Sequence, residues 1–223
     1  MTKISIVTAY RKNTQMIKEF LQHNIPLLDE DIEWELIIVN NNNEEDVIET
    51  GGIFKLIKTN KDVSFTEVFN NGIREATGDY IIICNNDVFL YTKNFGKILI
   101  KQYEENRASI IQPDLGEYWY LPSSSIPNLL QVYREIPNYF WFTKKEDILL
   151  FDEVFKDGLF FEDYDYCRTL LRNNKNIFIS GLVKGKHIGM GETSNFTKNL
   201  RLHNRQVFYD KWGSKCPDWE AGL

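Results

Sequence analysis

The sequence predicts an α/β domain built on one mixed, mostly parallel sheet flanked by helices. Three observations lead there. Short apolar runs alternate with segments of helical periodicity, in the order strand, helix, strand, strand, helix, strand. Three of the strand runs stop in polar clusters, at Thr8 to Asn13, Asn40 to Asn43 and Asn85 to Asp87. In open parallel sheets the ligand crevice lies beyond the carboxyl ends of the strands, so these clusters are the first candidates for a site. Finally, 223 residues with 43% hydrophobic and 26% charged content describe one large globular domain. A chain of this size buries roughly 70% of its unfolded surface and needs no disulfide or structural metal to fold.

Each element has a local reason. Ile4-Ser5-Ile6-Val7-Thr8 is a β-branched run that turns polar at Tyr10-Arg11-Lys12-Asn13. From Thr14 to about Leu28, Met16, Ile17, Phe20, Leu21 and Ile25 recur at helical spacing. Trp34 to Val39 is a second strand, and Phe54 to Ile57 a short third. Ser64 or Thr66 caps a helix that turns Val68, Phe69, Ile73 and Ala76 inward and ends at Gly78. Tyr80-Ile81-Ile82-Ile83-Cys84 is a wholly apolar strand followed directly by Asn85-Asn86-Asp87.

The second half is less regular. Thr92 to Asn106 reads as a helix and Ala108 to Gln112 as a strand. Tyr118 to Phe142 is rich in aromatics, proline and serine; it is either a surface loop or a lid whose aromatic faces stack on sugar rings. Phe160-Phe161-Glu162-Asp163-Tyr164-Asp165 leads into a helix running to Arg172. Lys184 to Gly191 reads as a glycine-rich loop around His187, and Asn195 to Lys215 as a packing helix.

Composition removes several function classes. The formal charge of −6 argues against a nucleic-acid binder held by charge. No apolar run reaches the ~18 residues of a membrane span, and Met1-Thr2-Lys3-Ile4 leads straight into a strand with no signal peptide. Cys84, Cys167 and Cys216 form no even framework, which favours a reducing, cytoplasmic setting. The Asn195-Phe196-Thr197 glycosylation triplet is of a kind that arises by chance in an Asn-rich chain. Neither GxGxxG nor GxxxxGK[ST] occurs after a strand, which removes a dehydrogenase-type dinucleotide fold and a P-loop.

Three groups of residues carry chemistry. Asp87, two residues after Asn85, closes a buried strand and could hold a carboxylate rigidly over the crevice. Mg²⁺ or Mn²⁺ on a diphosphate takes one or two protein carboxylates, with phosphate and water completing its shell. Spacing alone favours a simple turn at Asn-Asn-Asp. His187 sits among glycines 185, 189 and 191, and its imidazole suits Mn²⁺ better than Ca²⁺; a lone histidine in such a loop is more often structural. Glu162, Asp163 and Asp165 crowd a helix start, where carboxylates suit the macrodipole. The aromatics around them would raise a carboxylate pKa, as a general base requires, while the helix terminus lowers it.

Taken in order, Ser5-Ile6-Val7-Thr8-Ala9-Tyr10, Leu36-Ile37-Ile38-Val39-Asn40-Asn41, Asn70-Asn71-Gly72-Ile73, Gly78-Asp79-Tyr80-Ile81, Asn85-Asn86-Asp87-Val88 and Phe161-Glu162-Asp163-Tyr164-Asp165-Tyr166-Cys167 resemble the family-two inverting glycosyltransferases of the GT-A fold. The resemblance runs over roughly residues 4 to 190. It implies a single transferase domain over residues 1–223, with a nucleotide-sugar half at 1–90, an acceptor and catalytic half at 91–194, and a C-terminal helical segment at 195–223. It places Thr8, Ala9 and Tyr10 at the nucleotide base, and Asn40 where the family has a base-reading aspartate. Asn70, Asn85, Asn86 and Asp87 fall in the nucleotide-sugar site, the last three standing where the family has its DXD motif. Asp87 and His187 are implied as ligands of Mn²⁺ or Mg²⁺, Asp163 as the catalytic base and Glu162 as an acceptor contact.

The implied substrates are a nucleotide diphosphate sugar donor, UDP- or dTDP-linked glucose or rhamnose for example, and a glycan or glycoconjugate acceptor. The Phe-Glu-Asp-Tyr-Asp segment looks like rhamnosyltransferase-type members, and the Gln-x-x-Arg-Trp motif of processive synthases is absent, so a single transfer is implied. Two other classes compete: a nucleotidyltransferase, which would carry a glycine-rich loop that Thr8 to Asn13 lacks, and a non-catalytic sugar-binding module, which has no use for a base.

Overall fold

The computed structural model describes residues 1–41, 44–46, 48, 50–59, 63–116, 126–155, 161–189 and 198–213, with side chains of the last segment from residue 202 onward. The elements run β1 (Lys3–Tyr10), α1 (Thr14–Asn24), a 3-10 turn (Ile25–Leu27), β2 (Glu33–Asn41), β3 (Phe54–Thr59), α2 (Phe65–Glu75), β4 (Tyr80–Cys84) and β5 (Val88–Leu90). They continue with α3 (Phe95–Asn106), β6 (Ala108–Asp114), β7 (Leu130–Val132), β8 (Phe140–Lys144), α4 (Glu162–Arg172), β9 (Asn176–His187) and α5 (Lys198–Trp212). Among the described residues the strands form one sheet in the order β3-β2-β1-β4-β8-β6-β9-β5, with β7 also paired to β9. The pairs β3-β2, β2-β1, β1-β4 and β6-β9 are parallel. Those that β8 makes with β4 and β6 are antiparallel.

Strand periodicity builds two cores. On one face Ile4, Ile6 and Tyr10 of β1 join Leu36 and Ile38 of β2 and Tyr80 and Ile82 of β4, covered by Ile17, Phe20 and Leu21 of α1 and Phe95, Leu99 and Tyr103 of α3. The intervening residues Val7, Ile37, Val39, Ile81 and Ile83 face the other way, under Val68, Phe69 and Ile73 of α2 and Tyr166, Cys167 and Leu170 of α4. Each fully buried large apolar side chain stabilises the fold by about 1.5–3 kcal/mol, so the four central strands are a rigid base for whatever their ends carry. A smaller cluster of Phe155, Phe161, Tyr164 and Phe208 ties α5 to the start of α4.

Local chemistry sets the element ends. Asn13 caps α1 by accepting from Met16 N–H at 3.0 Å, and Pro26 turns the chain into the 3-10 segment. Ser64, not Thr66, caps α2, accepting from Glu67 N–H at 3.2 Å. That helix stops at Glu75 with Ala76 extended, before Gly78. Gly78 serves a different end: a Cβ there would lie 2.7 Å from the Ser5 backbone nitrogen, so glycine lets the turn into β4 close against β1.

Four strands were not legible in the sequence. β7 and the start of β8 lie in the segment expected as a loop or lid, the end of β9 lies in the expected glycine-rich loop, and β5 and the rest of β9 lie in stretches where no element was expected. Lys184 to His187, in particular, is the C-terminal end of β9, paired antiparallel to β5 with His187 opposite Val88. The Asn195 to Thr197 triplet, Cys216, Gly191, Asn42, Asn43, Phe160 and residues 118–125 of the aromatic Tyr118 to Phe142 segment lie outside the described residues.

Candidate active site

The β9-β5 pairing decides the first part of the site. Asp87 occupies the turn between β4 and β5 and is 2% exposed. His187 is the last residue of β9, and its Nε2 stands 3.2 Å from Asp87 Oδ1. The Ile188 backbone N–H donates to Asp87 O at 2.9 Å, so the two chain segments are fastened beside the pair. The Tyr139 ring stacks on the imidazole, with centroids 3.9 Å apart and planes 15° from parallel. Among the described residues no group of three or more His, Cys, Asp or Glu side chains converges. Asp87 and His187 place one carboxylate and one imidazole side by side.

The second part lies at the N-terminus of α4. Glu162 and Asp163 are its first two residues, and Phe161 precedes them with φ 81°, ψ −21°, fully buried. A left-handed conformation at a bulky residue is costly and persists only where the surroundings enforce it. Asp163 Oδ1 accepts from Tyr164 N–H at 2.8 Å and Oδ2 from Asn138 N–H at 3.3 Å. Burial pushes its carboxyl up to about 6, the N–H donors pull it down, and the negative charge of Glu135 adds to the rise. Glu135 is in turn paired with Arg168 of α4, whose Nε lies 2.6 Å from its Oε1. Glu162 is buried, with 4% exposure.

Asn138 and Tyr139 connect the two parts. The backbone N–H of Asn138 holds Asp163. The ring of Tyr139 covers His187, and its carbonyl accepts from Asn85 N–H at 3.0 Å. Successive Cα atoms are ~3.8 Å apart, so one dipeptide at the entry to β8 touches the segments that carry Asp87, His187 and Asp163. Both Asn138 amide atoms are buried and find no hydrogen-bond partner among the described residues.

The ends of β1 and β2 form the remaining part. Thr8, Ala9 and Tyr10 pair with Ile38, Val39 and Asn40. Thr8 and Tyr10 share one face of the sheet and Ala9 turns to the other. Thr8 Oγ1 is buried with no hydrogen-bond partner among the described residues. The Tyr10 hydroxyl donates to Glu45 O at 2.8 Å. Asn40 Nδ2 donates to Asp46 Oδ1 at 2.8 Å, and Lys58 Nζ to Asp46 Oδ2 at 2.9 Å. A carboxylate thus stands beside Asn40, held below its usual range by the Lys58 and Asn40 hydrogen bonds.

Comparison with known proteins gives this geometry a family. The profile of Glycosyl transferase family 2 matches residues 5–161. The chain belongs to this family. Its fold is shared with solved structures of low sequence identity. A crystal structure of GalNAc-T7 with UDP, GalNAc and Mn²⁺ superposes with a TM-score of 0.75 at 10% identity, over 96% of this chain and 49% of that one. Residues 1–349 of TarS from S. aureus superpose with a TM-score of 0.60 at 12% identity, over 94% and 70%. The TarS complex with UDP-GlcNAc gives 0.61 at 13%, over 94% and 71%. The chain spans about half the length of the GalNAc-T7 structure it matches. No curated protein sequence matches it significantly.

Within the glycosyltransferase, the profile ends one residue before Glu162, so Glu162, Asp163 and His187 lie beyond the matched segment. Asn85 and Asn86 lead from β4 into the Asp87 turn, where the Val88 N–H donates back to Asn85 O at 3.4 Å. Asn70 stands apart from this constellation. Its Nδ2 donates to Phe151 O at 2.9 Å and Glu153 Oε1 at 3.0 Å, and its Oδ1 accepts from Phe151 N–H at 2.8 Å. The side chain thus fastens α2 to the Phe151 segment. Sequence reasoning missed Asn138, Tyr139 and Glu135, which carry no motif and sit in a segment with no period. Among the described residues no helix is long and apolar enough to cross a membrane.

Proposed function

We propose that this transferase moves one sugar, with inversion, from a uridine or thymidine diphosphate sugar to a hydroxyl of a glycan or glycoconjugate acceptor, using Mn²⁺ or Mg²⁺. The observation that carries the reading is the Asn138-Tyr139 link between the Asp87–His187 pair and Asp163. A leaving-group end and a proton-accepting end must bracket one sugar, and a shared strand entry keeps them in register.

The donor set fits a small divalent cation. Asp87 Oδ1 and His187 Nε2 are 3.2 Å apart and their neighbours fix both groups. Two protein donors suit an ion whose other positions are filled by diphosphate oxygens and water. When bound there, the cation supplies positive charge to the departing nucleoside diphosphate. The Mn²⁺ in the GalNAc-T7 structure with UDP supports this use of the fold.

Asp163 does the proton work. With its carboxyl near 6 it is mainly ionised at neutral pH yet more basic than an ordinary aspartate. It takes the proton of the acceptor hydroxyl as that oxygen attacks the anomeric carbon. Asn138 N–H and Tyr164 N–H hold the carboxylate in place while this happens. Thr8, Ala9, Tyr10 and Asn40, at the ends of β1 and β2, supply the base pocket, and Glu162 contacts the acceptor.

The test is release of nucleoside diphosphate from a panel of UDP- and dTDP-sugars with Mn²⁺, with and without a chelator. Metal-dependent release from one donor, lost on chelation and in Asp163→Asn with acceptor present, is the expected result. Nucleotide binding without turnover of any donor would turn the reading to a sugar-binding module.

A further inference from the structure

α5 lies beyond the segment that the family profile covers, yet its last turn grips the first turn of α4. Trp212 Nε1 donates to Asp165 Oδ1 at 2.7 Å. Lys211 Nζ donates to Asp165 Oδ2 at 2.9 Å and to Asp152 Oδ2 at 2.7 Å. Asp165 is 3% exposed, so both of its oxygens are matched to donors from one helix. The Arg168 guanidinium lies 4.6 Å from the centroid of Phe208, and that of Arg172 4.6 Å from the centroid of Trp212.

A plain packing helix would bury apolar side chains and leave the charges to solvent. α5 differs at two points. A buried carboxylate left without donors is strongly destabilising, so Asp165 binds the two helices in one relative position. In addition, Phe208 is fully buried against Phe161, with ring centroids 5.7 Å apart. Phe161 is the residue held at φ 81° just before α4 starts. Its conformation sets where the helix begins, and hence where Asp163 stands. Asp163 and Asp165 are two residues apart, about 200° around a helix. One is held by Asn138 and the other by α5, so the first turn is gripped from two sides.

We propose that α5 is a positioning clamp on the catalytic end of α4, in which Trp212 and Lys211, acting through Asp165, keep Asp163 in register with Asn138 and the donor sugar. None of these α5 residues needs to touch substrate. The proposal rests on the reading of Asp163 as the base.

The experiment compares Trp212→Phe, Lys211→Met and Asp163→Asn in the full chain. Trp212→Phe keeps an aromatic ring beside Arg168 and Arg172 while removing the N–H donor and the second ring of the indole. The readouts are UDP affinity with Mn²⁺, kcat and donor KM, and hydrogen exchange over residues 161–172. The clamp requires that Trp212→Phe keep UDP affinity and donor KM within about twofold, lower kcat by roughly 10- to 100-fold, and speed exchange in the first turn of α4 but not in α2. Lys211→Met moves the same readouts less, and decides the matter if Trp212→Phe fails to fold. Wild-type kcat with unchanged exchange in both variants overturns the clamp. Wild-type kcat in Asp163→Asn overturns the base reading instead, and hydrogen exchange then still decides whether α5 holds that turn.

Discussion

The Tyr139 ring lies flat on the His187 imidazole, 3.9 Å between centroids, while the same imidazole points Nε2 at Asp87. A histidine that ligates a metal must present one nitrogen along a fixed direction, and groups that hold the ring typically alter affinity 10- to 100-fold when removed. Tyr139→Ala frees one face of the ring. With His187 in its proposed role as metal ligand, the Mn²⁺ concentration for half-maximal turnover rises by about 10-fold, while Tyr139→Phe, which keeps the stack, stays near wild type. A metal titration of donor turnover checks both.

Asp163 gives a pH signature of definite sign. Its carboxyl is raised from 3.8 to about 6, first by burial, against the pull of the Tyr164 and Asn138 N–H donors, and further by the charge of Glu135. In its proposed role as base Asp163 works only when ionised, so kcat/KM falls as pH drops through about 6, and this acid limb is absent from the residual activity of Asp163→Asn. That variant loses about 10²- to 10⁴-fold in kcat with donor affinity retained. Stability moves oppositely. A carboxyl with a raised folded-state pKa contributes stability that is present below 3.8 and lost as pH rises through about 6. The Tm of Asp163→Asn relative to wild type therefore rises between pH 4 and pH 7, which thermal melts at the two pH values read directly.

How much of this was legible in the sequence depends on the range of each interaction. The central sheet announces itself because Ile81, Ile82 and Ile83 are apolar on both faces, and Asp87 follows that strand directly. The acidic helix start was visible because its residues are contiguous. His187 was singled out, but its strand was not. Lys184-Gly185-Lys186 has the composition of a loop, and becomes a strand only through pairing with β5, almost a hundred residues earlier. Gly185 is needed there because a Cβ would lie 2.7 Å from Phe89 O. The Asn138-Tyr139 link left no pattern because its partners are 25 and 48 residues away and one contact is made by backbone. Asn70 shows the converse: an asparagine beside a sugar site and one mimicking a strand partner look the same in sequence, so its contacts with Phe151 left no pattern there.

Phe161 sets strain against packing. Gly at φ 81° would relieve the left-handed penalty of roughly 1–2 kcal/mol. It would also empty a fully buried site among Phe155, Tyr164 and Phe208, where large aromatic truncations cost about 3–5 kcal/mol. Packing wins, so Phe161→Gly is destabilised by about 1–4 kcal/mol in urea unfolding. The loss is greater than in an equivalent truncation that relieves backbone strain without opening a cavity.

Asn70 separates scaffolding from binding most cleanly. Its amide makes three hydrogen bonds, two of them to the backbone of Phe151, which is itself 2% exposed. Asn70→Ala leaves a buried N–H and C=O without partners, a loss of about 2–4 kcal/mol. For a chain of this length that lowers Tm by roughly 5–15 °C. Asp is a poor substitute, because a carboxylate accepts from Phe151 N–H but cannot donate to Phe151 O. If Asn70 held the donor instead, the variant would raise donor KM with little change in Tm. Melting curves and donor KM measured well below the melting transition distinguish the two roles: the lowered Tm comes with a KM that stays near wild type.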